Sequence, residues 1–162
     1  MPMKKDTPEI ARQRDESFRQ SSGGHLRRYL ATDGEDGYLS AAGIPNLILT
    51  TTGRRSGKPY STPLYFGEHD GRYLLVASYA GSDTHPKWYL NLLAHPEVEV
   101  QIRGERFAAR ARTATAEEKP TLWAVMTKLY PRFAEFQQST EREIPVVILE
   151  RAERKEDMRS CD

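Results

Sequence analysis

The run Gly53-Arg54-Arg55-Ser56-Gly57-Lys58 sets three cations and two glycines between two β-type stretches. Backbone N–H groups in such a turn, together with fixed positive charge, can converge on a phosphate; otherwise the run is a solvated hairpin loop. It is not a nucleotide P-loop. Three residues rather than four separate its glycines, Pro59 stands where the magnesium-binding Ser or Thr belongs, and a strand follows where a helix is needed. A second candidate is Val76-Ala77-Ser78-Tyr79-Ala80-Gly81, where small residues at a strand end leave room beside the backbone for a flat ligand or for close packing of a helix. The third is the aromatic set Trp88, Tyr89, Tyr130, Phe133 and Phe136, which could wall a planar cofactor and an apolar substrate or serve as core. Tyr130 precedes Pro131, and Phe133 and Phe136 follow it. These three are therefore expected beyond a helix end, at a pocket rim.

Other chemistries lack their residues. There is no G-x-G-x-x-G for a Rossmann dinucleotide site. His25, His69, His85 and His95 are scattered without a second ligand at metal spacing, and the only thiol, Cys161, lies in the tail, so no metal is expected. Ser56 and Ser78 lack the glycine pattern of a nucleophile elbow.

The elements that must hold these residues are mostly strands. Leu47 to Thr52 is dense in branched residues and closes at Gly53. Tyr60 to Phe66 and Arg72 to Ser78 read as a hairpin joined through Glu68-His69-Asp70-Gly71, since Asp-Gly supplies the positive φ that such a turn demands. Val98, Val100 and Ile102 alternate with polar residues, Gly104 turns the chain, and Phe107, Ala109 and Ala111 alternate in turn, giving a half-buried second hairpin. Ile144 to Glu150 supplies a sixth strand.

Two helices interrupt the strands. One starts at Pro86, runs through Trp88, Tyr89, Leu92 and Leu93, and stops at His95-Pro96. The other carries Leu122, Trp123, Met126, Leu129 and Tyr130 at helical spacing and ends at Pro131. Thr115-x-x-Glu118 resembles a capping box, but Pro120 moves the expected start of that helix to about Lys119. Without βαβ alternation this cannot be a doubly wound parallel sheet; a compact barrel or sandwich is expected.

Residues 45–150 form the expected domain, preceded by a flexible arm (1–24) and an irregular connection (25–44), and followed by a charged tail (151–162). The 162 residues carry 24 Lys+Arg against 23 Asp+Glu, a net charge of +1 that gives no electrostatic footprint for nucleic acid. The longest apolar runs, Leu47–Leu49, Leu74–Ala77 and Val146–Leu149, are far short of the about 20 residues a membrane helix needs. The polar N-terminus lacks a secretion signal, so a cytoplasmic location is expected. Ile10 and Phe18 lie two helical turns apart and would give the arm, if it is not simply solvated, a weak apolar stripe over a pocket or for peripheral contact with a membrane surface.

Several of these segments together carry a resemblance. Leu49-Thr50-Thr51-Thr52-Gly53-Arg54-Arg55-Ser56-Gly57, Thr62-Pro63-Leu64, Val76-Ala77-Ser78 and above all His85-Pro86-x-Trp88-Tyr89-Leu90-Asn91-Leu92 resemble the deazaflavin-dependent nitroreductase family. Pro96-x-Val98-x-Val100, Tyr130-Pro131 and Ile144-Pro145 extend the likeness from about Pro45 to Glu150. The resemblance implies a mainly β fold with helices (α+β), a six-stranded antiparallel split β-barrel of the FMN-binding type. It implies reduced coenzyme F420 as cofactor, with flavin mononucleotide the alternative in related barrels, and hydride transfer to quinones, activated alkenes or nitro compounds. A non-catalytic deazaflavin- or haem-binding module is a further alternative. The partner would be a small-molecule electron acceptor, and the chain a monomer or homodimer.

Carried over by position, the cofactor's phosphate and tail would meet Arg54, Arg55, Ser56 and Tyr60, flanked by Lys87, Trp88, Tyr89, Leu90 and Asn91. Its ring would lie along Ser61, Thr62, Pro63, Leu64 and Tyr65, and along Val76, Ala77, Ser78 and Tyr79. Tyr130, Phe133 and Phe136 would meet the substrate, with Ser78 and Tyr130 orienting it or giving a proton, since a hydroxyl can donate without carrying charge. The sequence departs from the family where Tyr60 and Tyr79 replace basic residues, with Lys58 and Lys87 as substitutes. Phe133 and Phe136 replace tyrosines of nitro-reducing members, which removes two donors and shifts the expected preference from bicyclic nitroimidazoles to apolar quinones or enones.

Overall fold

The computed structural model describes residues 24–152. Most of the expected arm and tail, with Ile10, Phe18 and Cys161, lies outside the described residues.

Helix α1 spans residues 24–32. Then follow β1 (Asn46–Thr52), β2 (Pro59–Tyr65), β3 (Gly67–His69), β4 (Arg72–Val76), a short turn at Tyr79–Gly81, α2 (Lys87–Ala94), β5 (Glu97–Ile102), β6 (Glu105–Thr113), α3 (Lys119–Leu129), α4 (Arg132–Gln138) and β7 (Val146–Arg151). The strands form one seven-stranded antiparallel sheet in the order β2-β1-β5-β6-β7-β4-β3. Its first and last strands are separated in the chain by Phe66 alone. A sheet whose opposite edges are one residue apart must curl back on itself, and this produces the split barrel.

The expected hairpin is corrected by the same feature. Tyr60–Phe66 does not pair with Arg72–Ser78; β2 pairs along its full length with β1, and the chain bends at Phe66 to start β3, which pairs with β4. The bend makes seven strands from the expected six. The Asp-Gly turn itself forms, with Asp70 at φ 52° and Gly71 at φ 74°.

Alternation sorts the apolar residues into two cores. Leu47, Leu49, Leu75, Val98, Val100, Phe107, Ala109, Val147 and Leu149 face the barrel interior, which Trp88, Tyr89 and Leu92 of α2 close. Leu74, Val76, Val146 and Ile148 face the other way and pack under Leu122, Met126 and Phe133 of α3 and α4. Strands β4 and β7 are buried on both faces and therefore read as unbroken apolar runs.

Two further expectations change and one holds. The connection at 25–44 contains α1, whose buried Tyr29 donates its hydroxyl to the Asn46 carbonyl (3.0 Å) and accepts the Arg103 N–H at the β5–β6 turn (2.8 Å). The stretch after Pro131 is helical rather than a loop, so Phe133 and Phe136 stand on α4. Thr115 and Glu118 exchange the two capping-box bonds, at 3.0 and 3.2 Å, and α3 starts at Lys119 as Pro120 requires.

Candidate functional site

The β1–β2 connection holds its shape through its own backbone: Gly53 N–H donates to the Lys58 carbonyl (2.8 Å) and Gly57 N–H to the Gly53 carbonyl (2.9 Å). The Ser56 hydroxyl accepts the Lys58 N–H (3.2 Å) and meets the Tyr60 hydroxyl at 3.1 Å. Asn91, buried on α2, pins the loop to the barrel. Its Oδ1 accepts both the backbone N–H of Arg54 (3.2 Å) and the Arg54 Nη1 (3.1 Å), while its Nδ2 donates to Thr51 Oγ1 (3.3 Å).

Loop, β2 and the start of α2 enclose a cavity of about 550 Å³, into which come Arg54, Arg55, Ser56, Tyr60, Ser61, Thr62, Tyr79, Lys87, Trp88 and Asn91 of the expected cofactor set. Arg54, Arg55 and Lys87 are three cations, and among the described residues no carboxylate lines the cavity. The first N–H groups of α2 add partial positive charge at the same wall. Trp88, 9% exposed, supplies a flat apolar surface.

A second cavity, about 500 Å³, adjoins the first. The lining changes over from Thr62 to Pro63 on β2, and from Tyr79 to its neighbours Ser78 and Ala80. Pro63, Leu64, Tyr65, Val76, Ser78, Tyr130, Phe133 and Phe136 all contribute to it. Tyr130 caps α3, and its ring meets Tyr65 and Phe133 edge-on, each at 5.0 Å between centroids. Three of the expected residues line neither cavity. Ala77 is fully buried in the barrel core; Tyr89 turns inward and bonds Thr113 Oγ1 at 2.7 Å; Leu90 lies away from both. Lys58 is also absent from both linings, so of the two substitute cations only Lys87 reaches the first cavity.

The sequence reading missed α1 as a wall. Leu26 enters the first cavity, and His25, Arg28 and Asp36 the second, where His25 Nε2 lies 2.6 Å from the Gly37 carbonyl. The short run from 24 to 32 between turn residues hid this helix, although Leu26, Tyr29 and Leu30 carry its i, i+3, i+4 spacing. Arg142 was missed as well. Its Nη1 lies 2.9 Å from His85 Nδ1, and burial beside that guanidinium holds the His85 imidazole below its ordinary pKa.

Residues 22–151 match the model of a known family, the F420H(2)-dependent quinone reductases. The chain belongs to that family. An F420H(2)-dependent quinone reductase of Mycobacterium tuberculosis is 34% identical over 130 residues, covering 78% of this chain and 87% of that protein. Among solved structures, an F420-H2 dependent reductase, FDR-A, is 41% identical with a TM-score of 0.61, covering 65% of this chain and 94% of that one. Another, described as a domain-swapped dimer, is 37% identical with a TM-score of 0.63, covering 78% and 95%.

Proposed function

We propose that this member of the family reduces quinones with reduced coenzyme F420. The observation that carries the reading is the adjacency of the two cavities, one lined by three cations and, among the described residues, no carboxylate, the other with an aromatic and apolar wall of Tyr65, Tyr130, Phe133 and Phe136 facing His25, Arg28 and Asp36. The first suits an anionic, flat cofactor. Arg54, Arg55, Ser56, Tyr60 and Lys87 would hold its phosphate and acidic tail, with Trp88 against its body. Ser61, Thr62, Pro63, Leu64 and Tyr65 on β2, and Val76, Ser78 and Tyr79 opposite, would flank the ring where the cavities meet. When bound and reduced, the deazaflavin supplies a hydride and thus two electrons at once.

The chain's own residues do the rest. Tyr130, Phe133, Phe136 and Tyr65 exclude water around an apolar acceptor. Ser78 and Tyr130 present hydroxyls in the acceptor cavity, placed to orient a carbonyl oxygen and to give it the proton that completes the hydroquinone. Family membership favours a deazaflavin over flavin mononucleotide, and turnover over storage or haem carriage. Among the described residues no helix is long and apolar enough to cross a membrane. We place the protein in the cytoplasm as a homodimer, with residues 1–24 as its contact to the membrane that holds lipophilic quinones.

The test is a parallel titration with F420 and flavin mononucleotide, read by fluorescence quenching, followed by menadione added to the reduced complex. Selective deazaflavin binding with quinone-dependent oxidation is expected. Selective flavin mononucleotide binding, or binding of neither, would overturn the reading. Deleting residues 1–24 should weaken vesicle binding and lipophilic quinone turnover while leaving menadione turnover intact.

A further inference from the structure

Between β4 and α2 the chain makes a turn of unusual backbone. Tyr79, Ala80 and Gly81 all lie in the left-handed region, with φ of 44°, 52° and 79°. Each of the two non-glycine residues costs roughly 1–2 kcal/mol there, so the conformation persists only if its surroundings impose it. The turn sits at the junction of the two cavities: Tyr79 lines the cationic one, and Ser78 and Ala80 the aromatic one.

What imposes it comes from the chain just after α4. Arg142 is half-buried and spreads its guanidinium across the turn: Nη1 donates to the Ala77 carbonyl (3.2 Å), Nη2 to the Ser78 carbonyl (2.8 Å) and Nε to the Ser82 carbonyl (3.0 Å). His85 Nδ1, 2.9 Å from Nη1, completes the ring of acceptors. Ser139 Oγ sits between the carbonyls of Phe136 (2.7 Å) and Gly81 (3.0 Å), to which its one proton is shared, and a Cβ on Gly81 would meet that Oγ at 2.0 Å, so only glycine fits. Thr140 Oγ1 donates to Asp83 at 2.7 Å. Arg142 is itself held, because Gln137 Nε2 donates to its carbonyl (2.7 Å) while Gln137 Oε1 accepts the Ile144 N–H (2.9 Å). The same α4 carries Phe133 and Phe136 into the aromatic cavity.

We propose that Arg142 is a positioning residue for the reaction: it locks the Ser78–Ser82 turn onto the end of α4 and so fixes the cofactor cavity's wall relative to the acceptor's. This rests on the function proposed above. Its fork geometry matters as much as its charge, since three carbonyls in different directions must be met by one planar group. A misplacement of about 1 Å at such a site can cost about a hundredfold in rate.

The experiment compares wild type with Arg142→Met and Arg142→Lys by three readouts. In the protein without cofactor, amide hydrogen exchange is followed at Gly81 and Ser82, whose N–H groups bond the Ser78 and Tyr79 carbonyls at 2.9 and 3.0 Å. Exchange at these two amides should rise about tenfold or more in Arg142→Met and less in Arg142→Lys, with the β5–β6 amides unchanged. With F420 and menadione, kcat should fall at least tenfold in Arg142→Met and partly recover in Arg142→Lys, while menadione KM changes less than threefold. Methylguanidine, and not methylammonium, should restore part of the Arg142→Met rate. If Arg142→Met does not fold, Arg142→Lys carries the test, with a several-fold loss of kcat expected at a Tm near wild type. Unchanged exchange at Gly81 and Ser82 overturns the clamp whatever the cofactor proves to be. Faster exchange with an undiminished kcat overturns its role in positioning. A wild type that neither binds F420 nor reduces menadione overturns the proposed function, and with it the assignment of Arg142 to that reaction.

Discussion

Asn91→Ala tests whether the cationic loop owes its shape to α2. Asn91 is 5% exposed and makes three hydrogen bonds, two to Arg54 and one to Thr51 Oγ1. A neutral bond contributes about 1 kcal/mol net and one to a charged group roughly twice that, but the exposed Arg54 recovers most of its share from water. The buried Thr51 hydroxyl and the Arg54 N–H recover less, and the lost side chain leaves a void beside them. The expected cost is about 2–3 kcal/mol. At roughly 4 °C per kcal/mol for a domain of this size, Tm should fall by about 8–12 °C.

Function should suffer separately from stability. With Arg54 unpinned, the cofactor must order the loop on binding, and F420 affinity should fall about tenfold, the equivalent of about 1.4 kcal/mol. Asn91→Asp separates the two effects. A carboxylate keeps the acceptor for Arg54, and Thr51 can reverse its hydroxyl to donate, so Tm should stay within a few degrees. The new charge, however, stands in a cavity that no carboxylate lines among the described residues. At about 8 Å from an anion and an effective dielectric near 20, repulsion is about 2 kcal/mol before screening, so affinity should again fall about tenfold and the loss should shrink with added salt. Thermal melts by circular dichroism and F420 fluorescence titrations read both quantities. A Tm and an affinity of Asn91→Ala both equal to wild type would refute the reasoning.

Phe133→Tyr adds a hydroxyl beside Tyr130 in the second cavity and should raise nitroimidazole reduction relative to quinone reduction several-fold; an unchanged ratio sinks that account of specificity. Arg55→Gln should weaken F420 binding about tenfold and flatten its salt dependence, measured by titrations between low and moderate ionic strength. Two groups shape stability against pH. Glu118 is held at about 2 rather than 4.5, chiefly by its paired bonds to Arg112 at 2.7 and 2.9 Å, so this stabilisation is full above pH 4.5 and is lost as pH falls toward 2. Glu118→Gln should flatten that acid limb in denaturant melts. His85 is depressed by burial and by Arg142, so the unfolded chain protonates first: its contribution is full above pH 6.5 and declines as pH falls below it. His85→Gln should remove that decline.

Strand positions were legible because alternation and turn chemistry act locally. Val98-x-Val100-x-Ile102 with Gly104, and Asp70-Gly71, carry their geometry in a few adjacent residues. The bend at Phe66 was not legible, because Glu68-His69-Asp70-Gly71 reads equally well as the turn between Tyr60–Phe66 and Arg72–Ser78. Only tertiary pairing decides that β2 joins β1 and β3 joins β4. Helix α4 was hidden by Pro131, which ends α3 but also suits the start of the next helix, where a missing N–H costs nothing.

The same distinction runs through the site. The cations at 54 and 55 and the aromatic residues at 130, 133 and 136 announce themselves by type, and the two cavities gather nearly all of them. Ala77 and Tyr89 were misplaced because a matched motif fixes the backbone path but not which face a side chain takes. Tyr89 points inward to Thr113, while its neighbour Trp88 reaches the cavity wall. Arg142 has no local pattern at all: it meets its carbonyl partners 60 to 65 residues away, on a turn whose strained backbone nothing in Ser78-Tyr79-Ala80 foretells. Residues that touch a ligand are selected for chemical type and show it. A residue that holds the chain around the ligand is selected for its reach to main-chain oxygens, which every sequence has, and only the folded structure picks it out.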